Sequence, residues 1–565
     1  MMITEEKVPY QHFKERLEQL KNNIIEDTKT FQQINDQASL TIFLSIGFAE
    51  KRATVLTANG KNFYQAWENM ENQGNSYLKK AKELFTSLKI DIVTNVIPVT
   101  IPEFINRITQ TKRNYFRQGV SFSKDFKHAF LEQELNGNAV IQIDRETNRG
   151  FIHEQNLQKY IQKHRPNIKP VDFKKVEKVY IFETQGYFYE KGNCYKLHHG
   201  ERDNGRRDTL LNAEEVEMLI NSGQKYLTSL SKPNGRFVYG FFSYFDKEIK
   251  HYNSLRHSST IYSMIEAYEF QPTEEAADVI ERGIHYLIRE KLYVDEELGI
   301  AYIIDGEQAD SMEVKLGAIA AAILAITKYT EVFEDVKYIP TAQKLARGIL
   351  QLQQENGKFV HILDYPSLAL KEEFRIVYYD GEACFALMRL YKIDRDEQWL
   401  QAVEKAFDYF IASNHWKHHD HWLSYCTNEV TLYKPERKYY KFGLQNVQNR
   451  LDYIYKRITT YPTFLELMMA AYQMVNRMKA DGYGDLINEL DFDESKLEAT
   501  IHRRAEYQRN GFFYPELAMY FKNPKRIIGS FFIRHHSFRT RIDDVEHYLS
   551  GYCAYYNLFL KHKEQ

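Results

Sequence analysis

Six apolar stretches in the later part of the chain each begin with a cluster of side chains able to do chemistry. Tyr252, Arg256 and His257 precede the first stretch, and Asp305, Glu307, Asp310 and Glu313 the second. Tyr378, Tyr379, Asp380 and Glu382 open the third, and Asp420, His421 and Trp422 the fourth. Arg457 and Tyr461 stand before the fifth, and Asp543, Asp544 and His547 open the last. Carboxyls in pairs serve as acid and base, or as acid and nucleophile, at a glycosidic bond. Two histidines can remove and return a proton. An arginine can hold a carboxylate through two N–H groups, and aromatic faces stack on sugars. Capping is the competing explanation for the acids, because first-turn carboxylates suit the helix dipole. It explains Arg256, His257, His421 and His547 less well, since cations are disfavoured at that end. Cations entering apolar helices need partners, and a shared polar funnel would supply them.

The elements that must position these groups follow from a repeat. From Asn212 onward two kinds of helix alternate. One kind has a single charged face, as in AEEVEMLINSGQKYLTSL, EAADVIERGIHYLIREKL and EQWLQAVEKAFDYFIA. The other is apolar nearly all round and rich in small residues, as in SMEVKLGAIAAAILAITKYT and YPTFLELMMAAYQMV. A helix without a polar face must be surrounded by protein. Six such alternations predict two concentric layers, an (α/α)6 toroid. An open solenoid is the alternative, but it would leave one face of each inner helix wet. Asn-Gly turns followed by aromatics, in NGRFVYGFFSYF, NGKFVHILDY and NGFFYPELAMYF, connect outer to inner helices on one rim.

From Leu40 to about Leu197 the pattern changes to short β-branched runs between amphipathic helices. LTIFLSIGF, RATVLTANG, IDIVTNVIPVT, NAVIQI and KVYIFET read as strands, in an order that predicts a small α+β module. The expected fold is therefore mainly α: a toroid over residues 206–565, preceded by an α+β domain over residues 1–205. Dinucleotide, P-loop, kinase and nucleophile-elbow motifs are absent, so the first module has no chemistry assigned.

Composition narrows the setting. A net charge of -2, with 43% hydrophobic and 27% charged residues, gives no reason to expect nucleic acid or an anionic membrane as partner. No window reads as long and apolar enough to cross a bilayer. The charged, amphipathic N-terminus has no apolar signal region, and four scattered cysteines make no disulfide framework, which points to the cytoplasm. Tyrosine outnumbers tryptophan 41 to 4, a composition that suits core packing and sugar-cleft walls alike.

YNSLRHSSTIYSMIEAYE, YYDGEACFALMRLYKIDRDEQWLQAVEKAFDYFI and DHWLSYCTNEV resemble the six-hairpin glycosidase-like toroids. These include N-acylglucosamine 2-epimerase-like and unsaturated-glucuronyl-hydrolase-like proteins. The resemblance spans roughly residues 212–561. It implies either an epimerase set of Arg256, His257 and His421, or a hydrolase pair of Asp310 and Asp380. Hydrolase, epimerase and lyase stay open. The expected catalytic residues are His257, His421, Asp310 and Asp380. Tyr252, Arg256, Tyr379, Glu382, Trp422, Arg457, Tyr461 and His547 are the expected substrate contacts.

The expected function is a cytoplasmic carbohydrate-active enzyme acting on an acidic or N-acylated sugar, or an oligosaccharide, without a metal or cofactor. The alternatives are a non-catalytic glycan- or partner-binding protein in cell-surface polymer synthesis and, further off, a zinc or isoprenoid toroid. Cys384, Cys426 and Cys553 would serve the zinc version, although their depth in apolar helices suits core packing better. The histidine-rich HWKHHDHW reads as a rim loop whose last histidine points inward, with a metal site as the alternative. RHHSFRTRIDD reads as either a closing loop over an anionic substrate or a solvated insertion. His257→Ala and His421→Ala are expected to leave folding intact and reduce binding or turnover.

Overall fold

A computed structural model of the chain describes residues 12–35, 37, 39–200, 202–308 and 311–561. The chain forms two compact units. One comprises Met1–Leu210, Phe241–Lys247 and Asn510–Thr540, and the other comprises Leu211–Gly240, Glu248–Arg509 and Arg541–Gln565.

The first unit is built on a seven-stranded sheet. Thr54–Gly60, Leu40–Gly47, Ser87–Thr100, Lys178–Glu190, Gly119–Ser121 and Ala129–Phe130 lie side by side, with Asn193–Lys196 also paired to Lys178–Glu190. Every pairing is antiparallel, and the longest runs from Ser87 opposite Glu190 to Thr100 opposite Lys178. Pro102 stands in the first turn of the helix Ile101–Gln110, where its missing N–H costs nothing, and Thr100 with Glu103 completes a capping box. Buried Lys89 and Arg165 in this unit form ion pairs, while buried Arg52 donates to the Tyr520 and Tyr244 carbonyls. Lys89 Nζ lies 2.8 Å from Asp91, and Arg165 lies 2.6 Å from Glu134. Residues 510–540 are anchored here by Glu516, which takes two hydrogen bonds from the Arg207 side chain, and by Arg534, 3.2 Å from Glu132. Arg534 is therefore a buried structural cation rather than part of a closing loop.

The second unit is a closed ring. Outer helices Ala213–Ser229, Glu274–Lys291, Ile339–Gln351, Glu397–Ala412, Arg437–Gln448 and Glu494–Gln508 alternate along the chain with inner helices. The inner helices, in order, are Ser254–Phe270, Leu316–Phe333, Tyr378–Asp394, His421–Val430, Thr463–Ala480 and Ile542–Tyr555. Each inner helix packs on the next, and the sixth packs on the first. That last contact excludes the open solenoid.

The second inner helix shows why the layer closes. Ala318, Ala320, Ala321 and Ala322 are at most 1% exposed, so its neighbours pack close to its backbone. By length and composition Leu316–Phe333 is the one described helix that could cross a membrane, which corrects the sequence expectation of none. Its setting accounts for the composition, since 78% of it is buried inside the fold.

Two of the three Asn-Gly connections repeat, while the third ends in the 3-10 helix Arg509–Gly511. Gly235 and Gly357 both adopt left-handed backbone, at φ +87° and +91°. A Cβ on either would meet a carbonyl oxygen of an outer helix, Arg282 at 2.0 Å or Lys405 at 2.2 Å, so only glycine fits. A five-stranded sheet of Leu292–Asp295, Ile300–Asp305, Glu313–Lys315, Ile362–Asp364 and Leu370–Glu372 leads into the second and third inner helices.

Candidate functional site at the inner-helix starts

The site begins with how the inner helices are capped. Asn253 accepts from the Arg256 N–H, and Asp305 accepts from the Ser254 N–H at 2.7 Å. Asp420 accepts from the N–H groups of Trp422 and Leu423 at 2.9 and 3.2 Å. Two glycines let the starts converge. A Cβ on Gly317 would meet Glu382 Oε2 at 2.2 Å, and one on Gly381 would meet Asp420 Oδ2 at 2.4 Å.

Arg256 is the cation of an acidic cluster. Its Nε lies 3.5 Å from Asp543 Oδ2, and another guanidinium nitrogen lies 4.0 Å from Glu546 Oε1. Glu546 also accepts from Thr260 Oγ1 at 3.2 Å. Burial pushes the Glu382 carboxyl up to about 8. The Arg256 charge opposes that shift, while Asp420 and Glu546 add to it. Glu382 Oε2 is buried without a hydrogen-bond partner. Burial likewise raises Glu546 well above the ordinary carboxylate range, against the pull of Arg256. Burial thus favours the neutral form of Glu382, the form able to donate a proton.

His421, Glu466 and His547 form the second half of the site. Each offers an atom within 4.8 Å of the others. His547 Nδ1 lies 2.9 Å from Glu466 Oε2, and its Nε2 lies 3.6 Å from Glu546 Oε1. His421 Nδ1 lies 3.4 Å from Asp420, while its Nε2 is buried with no hydrogen-bond partner. The two imidazoles meet edge to face with centroids 5.4 Å apart. This set could also hold a divalent ion through two nitrogens and a carboxylate, and no cysteine takes part in it.

Beside His421 is a cavity of about 150 Å³. Tyr378, Arg457, Tyr461 and Phe464 are among its walls, and the Tyr378 and Tyr461 hydroxyls lie 3.5 Å apart. Of the expected substrate contacts, Arg256, Glu382, His547, Arg457 and Tyr461 stand in this cluster or its cavity. Trp422 and Tyr379 are buried behind it, Trp422 against Phe385 and Tyr425, and Tyr379 against His361.

Three expected site residues stand elsewhere. His257 is wholly buried away from the funnel. Its Nδ1 pairs with the Tyr252 hydroxyl at 2.7 Å, and its Nε2 donates to the Gly283 carbonyl at 2.9 Å. Tyr252 belongs to the same closed contact and accepts from the Phe237 N–H. Asp380 lies 3.4 Å from His361 Nε2 and 3.3 Å from His415 Nε2. His361 Nδ1 accepts from the Arg375 N–H, which leaves the ring proton on Nε2. Burial pushes Asp380 up, but its two histidine partners hold it below the ordinary value. Such a carboxylate is committed to two imidazole neighbours. Its partner in the expected hydrolase pair, Asp310, lies outside the described residues. Sequence reading passed over Glu466, Glu546 and Arg450.

The His257 contact predicts an acid-sensitive fold. Burial lowers its pKa from 6.5 to about 4, so the unfolded chain takes up a proton that the fold refuses. The stability it contributes is complete above pH 6.5 and is lost as pH falls toward 4, by about 3 kcal/mol. His257→Gln is expected to flatten that part of the urea-unfolding profile against pH. An unchanged slope would remove His257 as its source. His257→Ala is expected to lower thermal stability, which revises the sequence expectation that this change spares the fold.

No family model matches the chain, and no curated protein matches it. Solved structures with related folds are found at low identity. The chain is 12% identical to a D-mannose isomerase, over 61% of this chain and 98% of that one, with a TM-score of 0.47. It is 14% identical to cellobiose 2-epimerase from Bacillus thermoamylovorans, over 53% and 87% of the two chains, with a TM-score of 0.42. It is 11% identical to the GH76A alpha-1,6-mannanase of Salegentibacter, over 60% and 98%, with a TM-score of 0.39.

Proposed function

We propose that the ring is a carbohydrate-active enzyme that moves a proton on a sugar, an epimerase or isomerase acting at the inner-helix starts. The observation that carries this reading is the convergence of His421, Glu466 and His547 within 4.8 Å, with His421 Nε2 left unpartnered. A base with a free nitrogen and a second imidazole across from it suit removal and return of a proton at the carbon next to a sugar carbonyl. Asp420 against Nδ1 orients the His421 ring, and Glu466 does the same for His547. Glu382, kept protonated by burial, supplies an acid for the carbonyl oxygen as negative charge grows there. The paired-aspartate hydrolase loses support because Asp380 is held between two histidines. Arg256 faces two carboxyls, so it is poorly placed to clamp a uronate.

The test is exchange of solvent deuterium into reducing sugars, followed by proton NMR, over neutral aldoses, N-acyl hexosamines, uronates and sugar phosphates. The expected result is loss of one carbon-bound proton signal in at least one class, together with a new epimer or ketose. Binding without exchange in any class would leave a glycan-binding ring and remove the enzyme reading. Running the series with and without a chelator separates the metal-free reaction from one that needs an ion on the same three residues.

A further inference from the structure

We propose that the cavity beside His421 is an anion subsite, which receives a phosphate or carboxylate group carried by the substrate. The inference rests on the sugar reading above and names the substrate class within it. The cavity walls include Arg450, Arg457, His418, His419 and His421, and among the described residues no aspartate or glutamate lines it. This is the reverse of the neighbouring cluster, where Asp543 and Glu546 already face Arg256. There an anion would meet an arginine already engaged by Asp543, and here it meets the Arg450 guanidinium, which has no carboxylate in ion-pair range among the described residues.

The geometry suits an oxyanion. The Arg450 guanidinium carbon lies 4.0 Å from the centre of the Tyr453 ring, and that of Arg457 lies 5.1 Å from the same ring and 5.0 Å from Tyr461. Two guanidiniums thus share one aromatic platform. Stacking fixes the plane of the Arg450 guanidinium, whose edge N–H groups suit paired hydrogen bonds to an oxyanion, and Arg457 adds a second positive charge to the same wall. Among the described residues no carboxylate lies within ion-pair range of Arg450, whose Nε is buried without a hydrogen-bond partner. His419 Nδ1 donates to the Asn446 carbonyl at 2.8 Å, which fixes its tautomer. Burial lowers its pKa, with the Arg450 charge adding to the effect. Tyr461 and Phe464 complete the wall with flat faces for a sugar ring.

The measurement is calorimetric titration of the full chain with inorganic phosphate, glucose, glucuronate and glucose 6-phosphate. The charged sugars are expected to bind at least about tenfold more tightly than glucose, and inorganic phosphate to compete with them. Added sodium chloride should erode that preference, because it screens an electrostatic contact. Arg450→Gln with Arg457→Gln should abolish it, and Arg457→Lys should keep part of it. A preference for glucose 6-phosphate alone names a phosphate, one for glucuronate alone a carboxylate, and one for both their shared charge. Equal affinity for neutral and charged sugars, or a preference that survives the double substitution, overturns the subsite. The two readings fail separately. Deuterium exchange with no charge preference removes the subsite and leaves the enzyme. Phosphate binding lost in the double variant, with no exchange on any sugar, removes the enzyme and leaves the subsite.

Discussion

His421→Gln is expected to lower kcat for deuterium exchange by about 10²- to 10⁴-fold, the usual worth of a positioned general base. The side chain qualifies by geometry first. Its Nε2 has no hydrogen-bond partner, although the residue is only 4% exposed. A buried imidazole nitrogen left empty is costly unless a ligand fills it. For the same reason the substitution should cost little stability, because no bond at Nε2 is lost. His547→Gln is expected to lower kcat similarly, whereas Glu466→Gln should act through the His547 ring it orients and leave more activity. KM should change less than kcat in all three. A KM rise with kcat held would recast both histidines as substrate holders, and a fall in melting temperature matching the lost activity would recast them as structural.

The ring was legible in the sequence because six helices without a polar face alternate with six that carry one, and a helix apolar on every side must be surrounded. Ala318 to Ala322 lie in such a helix, and the structure encloses it. The site was half legible, and the missing half is a matter of helical phase. Neighbouring residues on a helix point about 100° apart. Arg256 and His257 share one sequence signal, yet Arg256 reaches Asp543 while His257 turns to the carbonyl of Gly283 on an outer helix. Asp380 and Glu382 divide the same way, one toward His361 and His415, the other toward Gly317. Which face of an inner helix looks into the mouth is set by its neighbours, and pattern alone leaves it open. Glu466 did carry a signal, since it is a lone carboxylate among apolar residues in TFLELMM, and Glu546 stands with Asp543, Asp544 and His547 in one polar helix start. A carboxyl in a helix with no wet face must be buried, and a buried carboxyl needs a partner. Residues 510–540 were less accessible to pattern reading. Their anchors Glu132 and Arg207 lie hundreds of residues earlier, and the basic run around Arg534 looks the same whether solvated or buried.

Glu382→Gln is expected to make the protein more stable and less active at once. The carboxyl has an ordinary value of 4.5 and is pushed up to about 8 in the fold. Between those limits the unfolded chain has released a proton that the fold retains. Each pH unit across the window therefore costs the fold about 1.4 kcal/mol, and the loss at pH 7 is about 3 kcal/mol. Below pH 4.5 both states are protonated and the cost is gone, and above 8 it is constant. Glutamine keeps the shape, cannot ionise in the unfolded chain, and removes the slope. The stability difference between variant and parent in urea unfolding should thus grow with pH from 5 to 8 and then level off. A difference that stays flat over that range would mean that Glu382 is ionised in the fold, stabilised by Arg256. The acid role assigned to it would then fall, leaving His547 as the proton donor. Exchange activity supplies the second reading, since an amide cannot replace the acid. If Glu382→Gln gains stability and loses activity together, the buried proton is both the cost and the use of this residue.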